Sequence, residues 1–378
     1  MAFLDVGGRR WEELAKDENI IHMGHNCNHL PLVPDIAEAM IEALQSNRYR
    51  NYPPPYGTDE LREAIRGDVG IDNTDVLVTN GSTEAIYQAL SVILRPGDET
   101  IISDPAWPHI ASFARTLGST VVSVPIYSAE SGYKLVPELL LRHVTPKTRV
   151  IAIIDPLNPL GSSYTEAEIK RICEIAEQRG IFVLHDCTYR DFGTSFVPAL
   201  QYYDRVVMTV SLSKSCGFAG LRLGALIVRN DLFQTIADQQ IARLGVNIIT
   251  QLGALAAYRT KSTWLPRVLE TNMKHQIALK ECFDSVKGLK ALVFPSMGNF
   301  VAADVTTTGF PAEEVVRRTL DAGFVIRSGE YTSERFGQRF IRVTTTVPTD
   351  HVDQFCRAFP AALGRKARVA DALTMRGD

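Results

Sequence analysis

Short apolar runs and stretches with apolar residues at helical spacing take turns along the first two thirds of the chain. DVLVT, ETIIS, TVVSV, RVIAII, IFVLHD and VVMTV are each four to seven residues long, and DIAEAMIEAL, STEAIYQALSVIL and EAEIKRICEIAE fall between or beside them. An unbroken apolar run of that length suits a strand covered on both faces, so the alternation predicts an α/β fold with a mostly parallel sheet under helices. Start signals support individual helices. Pro34 and Asp35 open one, Thr58 precedes a second whose face runs from Leu61 to Ile65, and Thr165 with Glu168 forms a capping box for a third.

The remainder changes character. QQIARLGVNIITQLGALAAY and a long pattern from Thr263 to about Val286 predict helices, and a smaller α+β unit follows. In it, strand character surrounds Asn299, EEVVRRTLDAGFVIRSG reads as a helix running into a strand, and FIRVTTTVP closes the unit. The expected division is an arm and helix over 1–45 packing on the small domain, a large domain over 46–270, a small domain over 271–365 and a frayed tail over 366–378.

Composition narrows the function classes. A chain of 378 residues, 45% of them hydrophobic, can bury a sizeable core, and two domains are expected. A formal net charge of −3 provides no footprint for nucleic acid or an anionic membrane. The six cysteines lack C-x-x-C spacing, which argues against a disulfide framework or a zinc site and for reduced thiols in the cytoplasm. No signal peptide, membrane span, internal repeat or low-complexity segment is read, and no metal is expected.

Candidate chemistry centres on SLSKSCGFAGLRLG, Ser211 to Gly224, directly after an apolar strand. A lysine becomes a nucleophile when its amine is partly desolvated or lies near another cation. Small neighbours let a bulky ligand approach Lys214, and Arg222 could clamp an anion. Taken alone, S-x-S-K also describes a solvated loop lysine. Gly81, Ser82 and Thr83 stand at a strand–turn–helix junction, where free amides favour an anion, or where a hydroxyl simply caps its own helix. Trp107 stands in a loop at a strand's carboxyl end, able to stack on a planar ring or to pack. Asp186 leaves an apolar strand, where a carboxylate is costly unless paired.

Taken together these segments resemble the class I/II aminotransferases, which are fold-type I enzymes dependent on pyridoxal 5′-phosphate (PLP). The pattern S-x-S-K-x-x-G-x-x-G-x-R-x-G appears at 211–224, and the other signatures follow in the family's order over almost the whole chain. The resemblance implies a seven-stranded large-domain sheet and a homodimer with shared active sites. It makes Lys214 the residue joined to the cofactor and a proton carrier, and Arg222 a phosphate ligand together with Gly81, Ser82, Thr83, Ser211 and Ser213. Tyr52, from the Y-x-x-x-x-G-x-x-x-L-R segment, reaches the phosphate of the partner's cofactor. Trp107 stacks on the ring, Asp186 keeps its nitrogen protonated, and Asn158 and Tyr189 hold its oxygen. Arg342 takes the substrate α-carboxylate through a two-bond fork, with Asn158 beside it. In NPLGSS the family's threonine is replaced by Leu160, and Asp155 replaces its first asparagine.

The arm carries a second resemblance. W-E-x-L-A and N-I-x-x-x-G-H, from Trp11 to His25, are similar to the arm of PLP-dependent arginine-modifying enzymes, whose glutamate faces the guanidinium and whose histidine lines the site. Glu12, Gly24 and His25 are the matching positions, with His25 a catalytic candidate as well. Against this, the arginine oxidases have an acidic ligand three residues before the lysine, where this chain has Ser211.

The expected function is PLP-dependent transamination of a free L-amino acid, a basic or guanidino one being a named option, with a keto acid as second substrate. The alternative is oxidation, elimination or cyclisation of an arginine-like amino acid on the same fold. A sensor domain of a transcription regulator is disfavoured because no basic region precedes the PLP pattern.

Overall fold

The computed structural model describes residues 5–6, 9–14, 16–229, 231–240 and 242–364. Its larger sheet has seven strands, β1 (Asp75–Thr79), β2 (Glu99–Asp104), β3 (Thr120–Pro125), β4 (Thr148–Ile154), β5 (Phe182–Asp186), β6 (Val206–Ser211) and β7 (Gly224–Val228). Their spatial order is β1-β7-β6-β5-β4-β2-β3. Strand β7 runs antiparallel to both neighbours and the remaining pairs are parallel. All of β6 and β7 is buried, which accounts for the unbroken apolar runs.

Local signals account for many of the connecting helices. Helix 166–177 opens on the capping box of Thr165 and Glu168, each side chain bonding the other's backbone amide. The Asn247 side chain accepts from the amides of Ile249 and Thr250 at the start of helix 248–259.

A second sheet, antiparallel throughout, is formed by β8 (Lys290–Ala291), β9 (Phe300–Asp304), β10 (Arg327–Ser328) and β11 (Phe340–Thr344), in the order β8-β9-β11-β10. It shares a separate core with helices 312–321 and 349–364, in which Phe355 stacks on Phe359 at 4.8 Å. Such an aromatic pair is worth about 1 kcal/mol beyond its area burial. Helix 261–284 bridges the two cores, placing Trp264 and Val268 in the first and Leu279 and Phe283 in the second.

The arm divides between these bodies. Ile21–His22 pairs in parallel with Phe324–Val325 beside the smaller sheet. Helix 34–45, however, lies on helix 248–259, so close that a Cβ on Gly253 would stand 2.9 Å from the Met40 sulfur. Ile36 belongs to the larger core. The expectation placed all of 1–45 on the small domain; the strand lies beside the smaller sheet, whereas the helix packs on the larger core. The tail over 366–378 lies outside the described residues.

Candidate active site

A cavity of about 360 Å³ opens at the carboxyl ends of β4, β5 and β6, where ligands bind in open α/β sheets. Lys214 follows β6 by three residues and is half-buried there, its Nζ donating to the His25 carbonyl at 3.2 Å. Burial lowers its pKa to about 8, the cations Arg342 and Arg222 assist, and Cys27 opposes them.

At one end of the cavity, helix 82–93 starts after Gly81, whose φ of 88° favours glycine. No side chain caps this helix, so Ser82 and Thr83 do not satisfy their own turn and their hydroxyl-bearing side chains line the cavity instead. Arg222, itself at φ 54°, lays its guanidinium over Gly81: a Cβ there would meet Nη2 at 2.5 Å. The result is a cationic cradle at a helix N-terminus.

Asp186 is buried at the exit of β5. Its Oδ1 accepts from the Thr188 amide at 3.1 Å, the Thr188 hydroxyl at 2.6 Å and Thr209 Oγ1 at 3.4 Å, while Oδ2 takes no hydrogen bond from the described residues. Burial pushes its pKa up, against those hydrogen bonds. Tyr189 lies edge-on to Phe300, ring centroids 5.3 Å apart, and accepts from Asn26 Nδ2 at 3.0 Å. Trp107, Asn158, Ser211 and Ser213 also line the cavity.

The far wall comes from the smaller sheet. Arg342 on β11 is only 5% exposed; it donates to Asn158 Oδ1 and, at 3.0 Å, to the Gly24 carbonyl, while its Nε has no partner among the described residues. Arg327 on β10 is its direct cross-strand neighbour and also lines the cavity. Its Nη2 lies 2.6 Å from His25 Nε2. A guanidinium can only donate, so Nε2 accepts and His25 is neutral. Burial, then Arg327 and Arg342, push the His25 pKa down to about 3. His25, the catalytic and substrate-site candidate of the arm, thus lines the cavity as a hydrogen-bond acceptor for Arg327. Gly24 contributes its carbonyl. The Glu12 side chain lies outside the described residues. Tyr52 is 78% exposed and stands apart from its own chain's cavity.

These features fit PLP. The cradle at Gly81 and Arg222 suits a phosphate, the free oxygen of buried Asp186 suits a ring N–H, and the desolvated amine of Lys214 suits an aldehyde.

The fold and this site define the chain's class, and comparison with known proteins agrees. The model of the family "Aminotransferase class I and II" matches residues 18–359, and the chain belongs to that family. It is a PLP-dependent aminotransferase. It is 30% identical over 370 residues to a histidinol-phosphate aminotransferase of Methanosarcina mazei, covering 94% of this chain and 92% of that one. An aspartate aminotransferase of Pyrococcus horikoshii is 26% identical, covering 88% of each chain. Among solved structures, N-succinyldiaminopimelate aminotransferase from Mycobacterium tuberculosis superposes with a TM-score of 0.85 at 23% identity, over 93% of this chain and 95% of that one. At that identity the likeness speaks for the fold.

Sequence reading did not single out Thr188, Arg327, Tyr331, His109 or Asn26. Thr188 was within reach, since a hydroxyl two residues after a strand-end aspartate forms a local turn with it. Arg327 and Asn26 were not, because their places depend on cross-strand register and on contacts across more than a hundred residues.

Proposed function

We propose that the chain transfers the amino group of a free L-amino acid to a keto acid, with the amino acid's α-carboxylate seated on Arg342. The observation that carries this reading is the guanidinium itself. It is buried, its Nε is unpartnered among the described residues, and of those lining the cavity the one carboxylate is Asp186, bonded by Thr188 and Thr209. A buried cation without a counter-ion calls for an anionic ligand.

The other roles follow from position. Ser82, Thr83, Gly81 and Arg222 would hold the phosphate, with Ser211 and Ser213 beside it. Asp186 would hold a proton on the ring nitrogen, Asn158 and Tyr189 would address the ring oxygen, and Trp107 would cover the ring face. When bound, PLP supplies an electron sink for the charge left on the substrate α-carbon. Lys214, with a pKa near 8, has a neutral fraction at pH 7 large enough to take the α-proton and return it elsewhere. Arg342 and Asn158 fix the α-carboxylate and so set which α-bond points at Lys214.

The side chain of the substrate is a separate matter. A guanidino substrate needs a facing carboxylate, and Glu12, the matching position, is the residue on which that option rests. The relatives named for histidinol phosphate, aspartate and N-succinyldiaminopimelate widen the panel to anionic substrates. Tyr52 and the exposed Ile41, Leu44, Tyr49 and Leu244 support a homodimer in which Tyr52 reaches the partner's cavity.

The test is a half-reaction without keto acid, using L-arginine, L-aspartate, L-glutamate and histidinol phosphate, run with and without oxygen. One equivalent of carbonyl product per site, then a stop, supports transamination and names the donor. Continued turnover without an acceptor would replace this reading with oxidation or elimination.

A further inference from the structure

The arm segment Gly24 to Asn28 touches, residue after residue, the groups on which the proposed chemistry depends. The Gly24 carbonyl accepts from Arg342 at 3.0 Å, and the His25 carbonyl accepts from Lys214 at 3.2 Å. Asn26 Nδ2 donates to the Tyr189 hydroxyl at 3.0 Å, and Asn28 Nδ2 donates to the carbonyl of Ser215, next to the lysine, at 2.7 Å. Backbone carbonyls make the first two contacts, so any residue could supply them. The two asparagines need their side chains, and of these Asn26 is the one that lines the cavity and touches another cavity side chain.

Asn26 is also the most tightly held residue of the segment. It is 1% exposed and adopts φ 53°, a left-handed conformation that asparagine tolerates better than most residues. Its amide N–H donates to Thr344 Oγ1 at 2.9 Å, and the same hydroxyl lies 3.3 Å from its Oδ1. Its carbonyl accepts from Asn299 Nδ2 at 3.0 Å. With Oδ1 facing the Thr344 hydroxyl, Nδ2 is aimed at Tyr189. The phenol has one proton and two lone pairs. Once a lone pair is occupied by the Asn26 amide, the Tyr189 proton is left to point elsewhere, and Tyr189 itself lines the cavity.

We propose that Asn26 is a positioning residue that makes Tyr189 a hydrogen-bond donor toward the cofactor's ring oxygen, and thereby sets the proton affinity of the cofactor as it is bound to Lys214. The inference rests on the reading of Tyr189 given under Proposed function. A phenol that donates to a negatively charged ring oxygen stabilises that charge, and so weakens the hold on any proton shared with it. Removing the Asn26 amide loosens the phenol; replacing it by a carboxylate reverses the bond, because a carboxylate can only accept and draws the Tyr189 proton away from the cavity.

Two variants separate these effects. Asn26→Gly keeps the left-handed backbone and deletes the amide, and Asn26→Asp keeps the size and inverts the polarity. The measurement is the pH midpoint of the visible absorbance of the PLP-loaded protein, with no substrate present, in wild type, both variants, Tyr189→Phe, and Tyr189→Phe combined with Asn26→Gly. The expected midpoint rises by about one pH unit in Asn26→Asp, the size of one charge-assisted hydrogen bond, and by less in Asn26→Gly. In the Tyr189→Phe background Asn26→Gly produces no further shift, since its effect passes through the phenol. Thermal melting checks that each variant is folded. Unmoved midpoints in both Asn26 variants, or an undiminished shift in the Tyr189→Phe background, overturn the proposal alone. A midpoint unmoved by Tyr189→Phe overturns it together with the assigned role of Tyr189.

Discussion

The two walls of the cavity are built by different means. The sheet wall presents Gly81, Ser82, Lys214, Asp186 and Arg222 from turns at strand ends, and local constraints fix several of them: Gly81 by its positive φ, Asp186 by Thr188 two residues on, Arg222 by the Ala219 carbonyl at 2.9 Å, whereas Lys214 reaches across to the His25 carbonyl. The opposite wall joins Arg342 and Arg327 of the smaller sheet to the arm, which has little regular structure and whose residues at the cavity, Asn26 and Cys27 among them, are held by partners 163 to 319 positions away. Local constraint produces spacing that can be read. Remote constraint leaves no such trace.

The comparison is tested first where its consequence is largest. Lys214→Ala removes the attachment point and the proton carrier together, and turnover of the best amino donor should fall about 10⁴-fold or more, measured over one half-reaction. A loss below 100-fold would mean that the sheet wall does not hold the reacting amine. On the opposite wall, Arg342→Lys keeps the charge and loses the fork. The KM for the amino acid should rise about 30- to 100-fold while affinity for PLP stays within about threefold of wild type. An equal loss of PLP affinity would show that Arg342 serves the cofactor.

Gly81→Ala probes the cradle with a smaller effect. The new Cβ would stand 2.5 Å from the Arg222 guanidinium at a backbone φ of 88°. Arginine is flexible, so the side chain can yield, and the backbone strain of about 1 kcal/mol remains. PLP affinity should drop roughly tenfold with the KM for the amino acid unchanged, because the cradle and Arg342 lie on opposite walls. Equilibrium titration of the cofactor-free protein checks it.

The same contrast explains what the sequence showed. Alternating apolar runs disclosed the sheet because two-sided burial imposes them, and Thr165 with Glu168 disclosed a helix start because a capping box is confined to four residues. Departures from the family pattern also gain a reason. Asp155 accepts from Ser163 Oγ at 2.6 Å and from the Tyr164 amide at 3.2 Å, anchoring the loop after β4, and Leu160 is fully buried beneath it. The neighbour of the helix over 34–45 was illegible, because an amphipathic pattern shows that a helix buries a face without showing which neighbour covers it. His25 was legible as a site residue and illegible in its role, since nothing near it in sequence announces Arg327.

The smallest expected effect concerns that histidine and is decided by pH. The Lys214 pKa is lowered to about 8, so the amine is mainly protonated at pH 6 and mainly neutral at pH 9. The rate at which cofactor-free protein takes up PLP should therefore rise about tenfold per unit below pH 8 and level off above it, where an ordinary lysine would still be climbing toward pH 10. His25, held near a pKa of 3, stays neutral across the whole range and adds no step between pH 5 and 7. His25→Gln keeps a neutral side chain with an oxygen for Arg327. It should leave the midpoint near pH 8 in place and change the half-reaction rate by less than about threefold, whereas loss of a general acid or base would cost about 100-fold or more. A step near pH 6.5 that disappears in His25→Gln would return the imidazole to the chemistry and make the arm wall a reacting surface, no longer only a frame for the groups opposite.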